Sequence, residues 1–118
     1  PAVRRADPAD LVALMRVLDG ALVDVDAETV ERRAAAGEVL RADDDGRAVG
    51  VLVRDGALVR ALAVRRDRRG EGVGRALVER AATETARLVA DCRPELRGFY
   101  EACGFRVTTR GGRAYGAR

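Results

Sequence analysis

Three alternating glycines stand where an apolar strand pattern gives way to an amphipathic helix pattern. The segment is Arg69-Gly70-Glu71-Gly72-Val73-Gly74. Because glycine has no Cβ atom, successive backbone N–H groups can turn toward one point there. The helix that begins at this loop adds unpaired amides and the positive end of its dipole. The segment therefore predicts a site for a phosphate-bearing ligand, enclosed in a strand-loop-helix unit.

The spacing of these glycines distinguishes between known phosphate loops. A dinucleotide fingerprint has the pattern Gly-x-Gly-x-x-Gly, and counted from Gly70 its last position is Arg75. A P-loop needs Gly-Lys followed by Ser or Thr, and the chain has no lysine. Both nucleotide-binding patterns are therefore excluded. A plain strand-to-helix turn without a ligand would need fewer glycines than this loop contains.

The remaining sequence alternates between strand and helix patterns. Apolar residues at helical spacing predict helices after the caps Asp7 and Asp26, the second ending at Gly37, and over residues 74–89 and 95–103. Asp55-Gly56 predicts a two-residue type I′ hairpin turn. The predicted strands are residues 2–6, 38–43, 47–54, 57–64, 89–92, 106–109 and 113–117.

This order predicts an α+β fold in α/β/α layers, built on a single mixed sheet. The helix between strands 57–64 and 89–92 makes one parallel β-α-β crossover, while short turns make most other pairs antiparallel. One domain is expected to cover residues 1–118. An exposed edge on the last strand would permit a homodimer.

Composition excludes several classes of chemistry. The chain has no His and no Ser, so a Ser-His-Asp triad is impossible. Cys92 and Cys103 lack zinc-motif spacing and His partners, so no metal site is expected and both thiols are predicted to be reduced and buried. No apolar run reaches the length of a membrane span, and no signal-peptide pattern opens the chain. A cytoplasmic protein without a membrane partner is therefore expected.

The charge raises the alternative of a nucleic-acid-binding domain. The net charge is +3, and arginines cluster in residues 65–69. Aromatic residues make up only 3% of the chain, too few for a stacking platform, and the 19 acidic residues are interspersed with the arginines. No nucleic-acid-binding motif is present. Nucleic acid is therefore not an expected partner.

Two segments resemble one known family. Residues 62–77 (LAVRRDRRGEGVGRAL) carry the signature Arg/Gln-x-x-Gly-x-Gly/Ala and resemble the acetyl-CoA-binding stretch of the GNAT acetyltransferases. Residues 99–105 (FYEACGF) resemble that family's late Phe-Tyr-x-x-x-Gly-Phe element. The predicted element order also matches the GNAT acyl-CoA N-acyltransferase fold. The resemblance implies transfer of an acetyl group from acetyl-CoA to a primary amine of a small-molecule or peptide acceptor, directly in a ternary complex.

The same resemblance implies the cofactor contacts. Leu62 and Val64, with Ala63 between them, would pair with the pantetheine arm. Glu71 and Val73 also belong to the cofactor-binding set, and the Glu71 side chain is expected to face solvent because an inward carboxylate would repel the pyrophosphate. Loop backbone groups would hold the pyrophosphate at Arg69, Gly70, Gly72, Gly74 and Arg75.

Tyr100 matches the family's tyrosine near the thioester sulfur, so the resemblance implies that its phenol protonates the leaving thiolate. The general base is open. Asp91 is the best carboxylate candidate, Glu28 and Glu31 on the second helix are alternatives, and deprotonation through water is favoured over all three. A covalent acetyl-cysteine is not expected, because neither cysteine has a base beside it.

Some positions depart from the family pattern. Arg66 stands where proline is common, and Arg93 stands where an asparagine is common. Phe99 and Phe105 are expected in the core. The strand before the loop has no carboxylate, which favours the alternative of a non-catalytic acyl-CoA-binding or regulatory module on the same fold.

Overall fold

Seven strands form one mixed sheet with the order β1-β2-β3-β4-β5-β7-β6 in the computed structural model, which describes all 118 residues. Neighbouring strands are antiparallel except β4 and β5, which are parallel. This arrangement confirms the predicted sheet. The strands are β1 (Ala2–Arg5), β2 (Val39–Asp44), β3 (Arg47–Asp55), β4 (Leu58–Val64), β5 (Val89–Cys92), β6 (Arg106–Arg110) and β7 (Arg113–Ala117).

Four α-helices cover the sheet in two layers. Buried side chains of α1 and α2 pack on one face, and those of α3 and α4 pack on the other, so the layering is α/β/α as predicted. No helix combines the length and the apolar character that crossing a membrane requires. The helices are α1 (Leu11–Gly20), α2 (Ala27–Ala35), α3 (Val73–Glu84) and α4 (Arg97–Ala102).

Both predicted aspartate caps are present. The Asp26 carboxylate accepts a hydrogen bond from the Thr29 amide at 2.7 Å, and α2 begins at the next residue. The Asp7 carboxylate accepts from the Ala9 amide at 2.9 Å. The turn that follows Asp7, Pro8–Asp10, is a 3-10 turn that leads into α1.

The predicted helix 74–89 is too long, because α3 ends at Glu84. Thr85 is already extended, with φ −145° and ψ 148°. Leu88 exchanges two backbone hydrogen bonds with Arg118, at 2.9 and 2.8 Å, and its side chain is buried in the core. Tertiary pairing with the C-terminal residue therefore overrides the helical periodicity of this segment.

Two further expectations are wrong. β3 extends to Asp55, so the hairpin turn is Gly56-Ala57, and only Gly56 has a positive φ, which is the type II′ pattern. The exposed edge belongs to β6, because β7 lies between β5 and β6. β7 pairs with β5 along one edge and with β6 along the other.

Candidate active site

The glycine loop connects β4 to α3, and two of its glycines have left-handed backbone conformations. φ is +80° at Gly70 and +84° at Gly72, and a Cβ atom at either position would meet no other atom within 4 Å. Backbone conformation, rather than lack of space, therefore requires glycine at these positions. Gly72 is the N-cap of α3 and offers no side chain to it, so the amides of the first helical turn are free to bind an anion.

The third glycine serves a different purpose, because it lets α4 approach α3. A Cβ atom at Gly74 would lie 3.1 Å from the Phe99 ring and 3.6 Å from the Val64 side chain. Gly50 in β3 does the same on the sheet side, where a Cβ atom would lie only 2.7 Å from Val73. The start of α3 is thus packed between the sheet and α4, which brings the two sequence motifs side by side.

β4 has an open edge directly before the loop. On one side it stays paired with β3 as far as Val64. On the other side it separates early from β5, although both strands continue. The two parallel pairs are Leu58 with Val89 and Val59 with Ala90. The later half of β4 therefore faces a gap in the sheet.

Backbone groups of Leu62 and Val64, the two predicted pantetheine contacts, point into this gap. The Arg65 amide donates to the Val49 carbonyl of β3 at 2.8 Å. Because backbone groups alternate between the two sides of a strand, those of Leu62 and Val64 point away from β3. The Val64 carbonyl accepts a hydrogen bond from Arg69 Nε at 3.3 Å. An extended amide-containing group could therefore pair with β4 as a further strand does.

A cavity of about 610 Å³ lies where the gap meets the glycine loop. Of the predicted cofactor-binding residues, only Glu71 is not part of its lining; its carboxylate lies 3.9 Å from the Arg68 guanidinium. Glu71 is exposed, as expected from its charge. The predicted residues that line the cavity are Leu62, Ala63, Val64, Arg69, Gly70, Gly72, Val73, Gly74 and Arg75.

Tyr100 lines the same cavity from α4 and is only 5% exposed. Its ring makes edge-on contacts with Phe99 and Phe105, at centroid distances of 5.2 and 5.1 Å. Burial raises the pKa of the Tyr100 phenol to about 12, and the nearby Cys92 and Cys103 thiols add to the shift. The phenol therefore keeps its proton over the whole neutral range.

The candidate bases do not line the cavity. Asp91 is exposed on β5, where its carboxylate accepts a hydrogen bond from Arg113 Nε at 3.0 Å. Its neighbours Ala90 and Cys92 point into the core, so the alternation of the strand turns Asp91 to the opposite face. Glu28 and Glu31 are exposed on α2.

Residues 35–107 match the family model of the acetyltransferase (GNAT) domain. This chain is a member of the GNAT family. The match includes both the glycine loop and the whole segment 99–105. No curated protein sequence matches this GNAT chain.

Solved structures have the same fold as the GNAT chain at low sequence identity. The ribosomal-protein-alanine N-acetyltransferase of Brucella melitensis is 20% identical, with a TM-score of 0.80 over 100% of this chain and 99% of its own. A putative acetyltransferase from Salmonella typhimurium, solved with acetyl-CoA, is 19% identical, with a TM-score of 0.79 over 99% and 92%. A Mycobacterium tuberculosis protein in complex with CoA and NLQ is 23% identical, with a TM-score of 0.76 over 92% and 74%.

Several cavity residues of the GNAT chain were not predicted from sequence. Ala21 and Val23 reach the cavity from the loop between α1 and α2, and Leu96 reaches it from the turn before α4. Phe99, expected in the core, is half-buried and also lines the cavity, whereas Phe105 is buried as expected. Sequence offers no signal for such contacts, because they depend on how remote elements pack.

Proposed function

We propose that this chain transfers an acetyl group from acetyl-CoA to a primary amine, directly and within a ternary complex. Membership of the GNAT family supplies the reaction class. The observation that carries the proposal is the meeting of three features in one cavity: the open edge of β4, the glycine loop and the Tyr100 phenol. Each suits a different part of an acyl-CoA thioester.

The cofactor would bind largely through backbone groups. The N–H and C=O groups of Leu62 and Val64 that point away from β3 suit the amides of the pantetheine arm, and the Val64 carbonyl, already bonded to Arg69 Nε, keeps a second lone pair for this purpose. The glycine loop and the first turn of α3 suit the pyrophosphate, and the charges of Arg69 and Arg75 add to the attraction. The residues proposed to surround the cofactor are Leu62, Ala63, Val64, Arg69, Gly70, Glu71, Gly72, Val73, Gly74 and Arg75.

Acetyl-CoA supplies the activated acyl group, and the residues of the chain position it and manage the protons. A backbone N–H near Val64 would polarise the thioester carbonyl while the neutral amine attacks its carbon. As the bond from carbon to sulfur breaks, the Tyr100 phenol donates its proton to the sulfur. The proton lost by the amide nitrogen restores the phenol through solvent.

The attacking amine must first lose its ammonium proton, and water is the proposed acceptor. No carboxylate lines the cavity, and Asp91 is paired with Arg113 instead. A route through an acetyl-cysteine is disfavoured, because burial raises the pKa of both the Cys92 and the Cys103 thiols. Positioning and carbonyl polarisation would therefore supply most of the rate acceleration.

Calorimetric titration with CoA tests the placement of the cofactor. Gly72→Val should weaken CoA binding at least about 10-fold, because a side chain at this left-handed position displaces the free amides. Gly46→Val is the matched control: φ is +77° there, a Cβ atom would also meet nothing within 4 Å, and Gly46 lies outside the cavity. Equal CoA affinity in the two variants would contradict the proposed site.

Release of free thiol from acetyl-CoA, measured with a broad panel of amines, tests the reaction itself. One observation favours a second function, a non-catalytic acyl-CoA-binding module: the cavity offers no carboxylate as a base. Tight CoA binding without thiol release for any amine would establish that second function. Turnover that falls about 100-fold in Tyr100→Phe would support the proposed acid role.

A further inference from the structure

The cavity passes from one face of the sheet to the other. Ala21 and Val23, on one wall, pack against the core beneath α1 and α2. Tyr100, on another wall, belongs to the core beneath α3 and α4. The gap between β4 and β5 connects the two sides. A thioester that lies beside Tyr100 would therefore be open to an acceptor arriving from the α1 and α2 side.

Arg93 stands on that acceptor side. It follows directly after β5 and is still extended, with φ −67° and ψ 147°. Because Cys92 packs beneath α3 and α4, the alternation of the strand turns the Arg93 side chain toward the opposite face. Arg93 is exposed and lines the cavity, and its guanidinium takes part in none of the ion pairs of the protein. Nearby Arg113, by contrast, is paired with Asp91 at 3.0 Å.

The other arginines that line the cavity have partners in the protein or lie beside the proposed pyrophosphate site. Arg68 is paired with Asp44 and lies 3.9 Å from Glu71. Arg69 holds the Val64 carbonyl, and Arg75 lies in the first turn of α3 beside the proposed pyrophosphate site. Arg93 is thus the cationic group of the cavity that neither the protein nor the cofactor phosphates neutralise.

A second basic cavity adjoins the first on the same side. It has a volume of about 370 Å³, and its charged lining residues are Arg16, Arg65, Arg66 and a single carboxylate, Asp67. Residues adjacent in sequence line the two cavities. Gly20 and Arg65 line the second cavity, and their neighbours Ala21 and Val64 line the first. Arg65 Nε is buried without a hydrogen-bond partner, and its nearest carboxylate, that of Asp67, is 3.8 Å away. The approach to the cavity therefore attracts anions.

We propose that the acceptor is an amine that carries a carboxylate, of the α-amino-acid type, and that Arg93 holds this carboxylate by charge-assisted hydrogen bonds while the amine meets the thioester. The proposal rests on the proposed function. A polyamine is the opposite case, since its remaining ammonium groups would need carboxylates, and no carboxylate lines the cavity. Arg93 would then determine acceptor specificity.

The test compares proteinogenic α-amino acids with their α-carboxamides and with spermidine, as acceptors for acetyl-CoA. In the wild-type protein, kcat/KM should be higher for the amino acid than for its amide. In Arg93→Gln, the ratio of the two kcat/KM values should fall at least about 10-fold, mainly through KM for the amino acid. Arg93→Lys should restore part of the ratio. Arg97→Gln is the matched control, because Arg97 is exposed on α4 and paired with Glu101 at 3.3 Å.

The outcomes separate this inference from the proposed function. Turnover of spermidine or of the amides at rates equal to the amino acids, with an unchanged ratio in Arg93→Gln, would overturn the inference and leave the acetyltransferase proposal intact. Absence of thiol release with every amine would overturn the proposed function. Even then, calorimetric titration of amino acids into CoA-saturated protein tests the proposed contact between Arg93 and the carboxylate. If Arg93→Gln does not weaken amino-acid binding, that contact is contradicted.

Discussion

Strand β3 is buried without interruption over residues 48–54, whereas β6 buries only Val107 and β7 only Ala114 and Gly116. The difference follows from the number of sheet faces that helices cover in each region. Helices pack on both faces of the β2–β4 region, so the apolar side chains of β3 are buried on both faces, and buried Arg54 bonds to the Glu38 carboxylate at 3.2 Å. The β5–β7 region has helices on one face only, and its other face carries exposed residues such as Tyr115.

The boundary between these two regions is where the site lies. β4 belongs to the doubly covered region and β5 to the singly covered one, and the two strands pair through only two residues each. The gap that results exposes backbone groups of β4 and opens a passage between the faces. Asp91 lies beyond this boundary, on the uncovered face of β5, where it is paired with Arg113 and is not part of the cavity lining.

The largest expected difference between the two regions is in stability. Leu52→Ala in β3 should lower the free energy of unfolding by about 2–5 kcal/mol, because Leu52 is fully buried. Tyr115→Ala in β7 should cost less than about 1 kcal/mol, because Tyr115 is 42% exposed. Urea denaturation of both variants measures the two values. Similar costs would mean that another surface, such as a second copy of the chain, covers the outer face of β7.

The next prediction concerns packing at the boundary. Gly50→Ala should lower the free energy of unfolding by about 1–3 kcal/mol, because the added methyl group would lie 2.7 Å from Val73. It should also weaken CoA binding, since it displaces the start of α3. Gly20→Ala is the control, because its Cβ atom would meet nothing within 4 Å. Urea denaturation measures the stability of both variants, and calorimetric titration measures their CoA affinity. Wild-type values of both quantities in Gly50→Ala as well as in Gly20→Ala would contradict the prediction.

The pH dependence of stability tests the burial of Tyr100. An unfolded tyrosine ionises near pH 10, whereas the folded phenol keeps its proton until about pH 12. Between these values the unfolded state binds fewer protons, so the free energy of unfolding falls as pH rises, by about 1.4 kcal/mol per pH unit from this group. Below pH 10 the contribution is constant. In Tyr100→Phe, urea denaturation between pH 9 and 11.5 should therefore show a shallower decline; an unchanged slope would refute the burial.

The smallest effect is expected at Asp91. Asp91→Asn should change kcat/KM less than about 3-fold, because its carboxylate is paired with Arg113 outside the cavity lining and water is the proposed proton acceptor. The pH profile of kcat/KM should keep its shape. A large loss of kcat/KM, together with a changed acidic limb of its pH profile, would instead identify Asp91 as the base.

Sequence reasoning located most elements within a few residues, because caps and periodicity are local. Asp26 predicted the start of α2 through a bond to the next turn. The failures have a common cause. Leu88 leaves the helix because it pairs with Arg118, and β7 lies inside the sheet because its second edge pairs with β5. Neither partner can be identified from the local sequence.

The sequence by itself predicted the turn at the glycine loop, because glycine adopts the left-handed backbone of Gly70 and Gly72 at little steric cost. It also determined the family, through two motifs in order. Only the tertiary structure decided which cavity lies beside the loop and which residues line it. The separation of β4 from β5, and the arrival of Ala21 and Arg93 at one cavity, result from packing between segments far apart in the chain. The proposed donor site is thus encoded locally, whereas the proposed acceptor side is assembled by the fold.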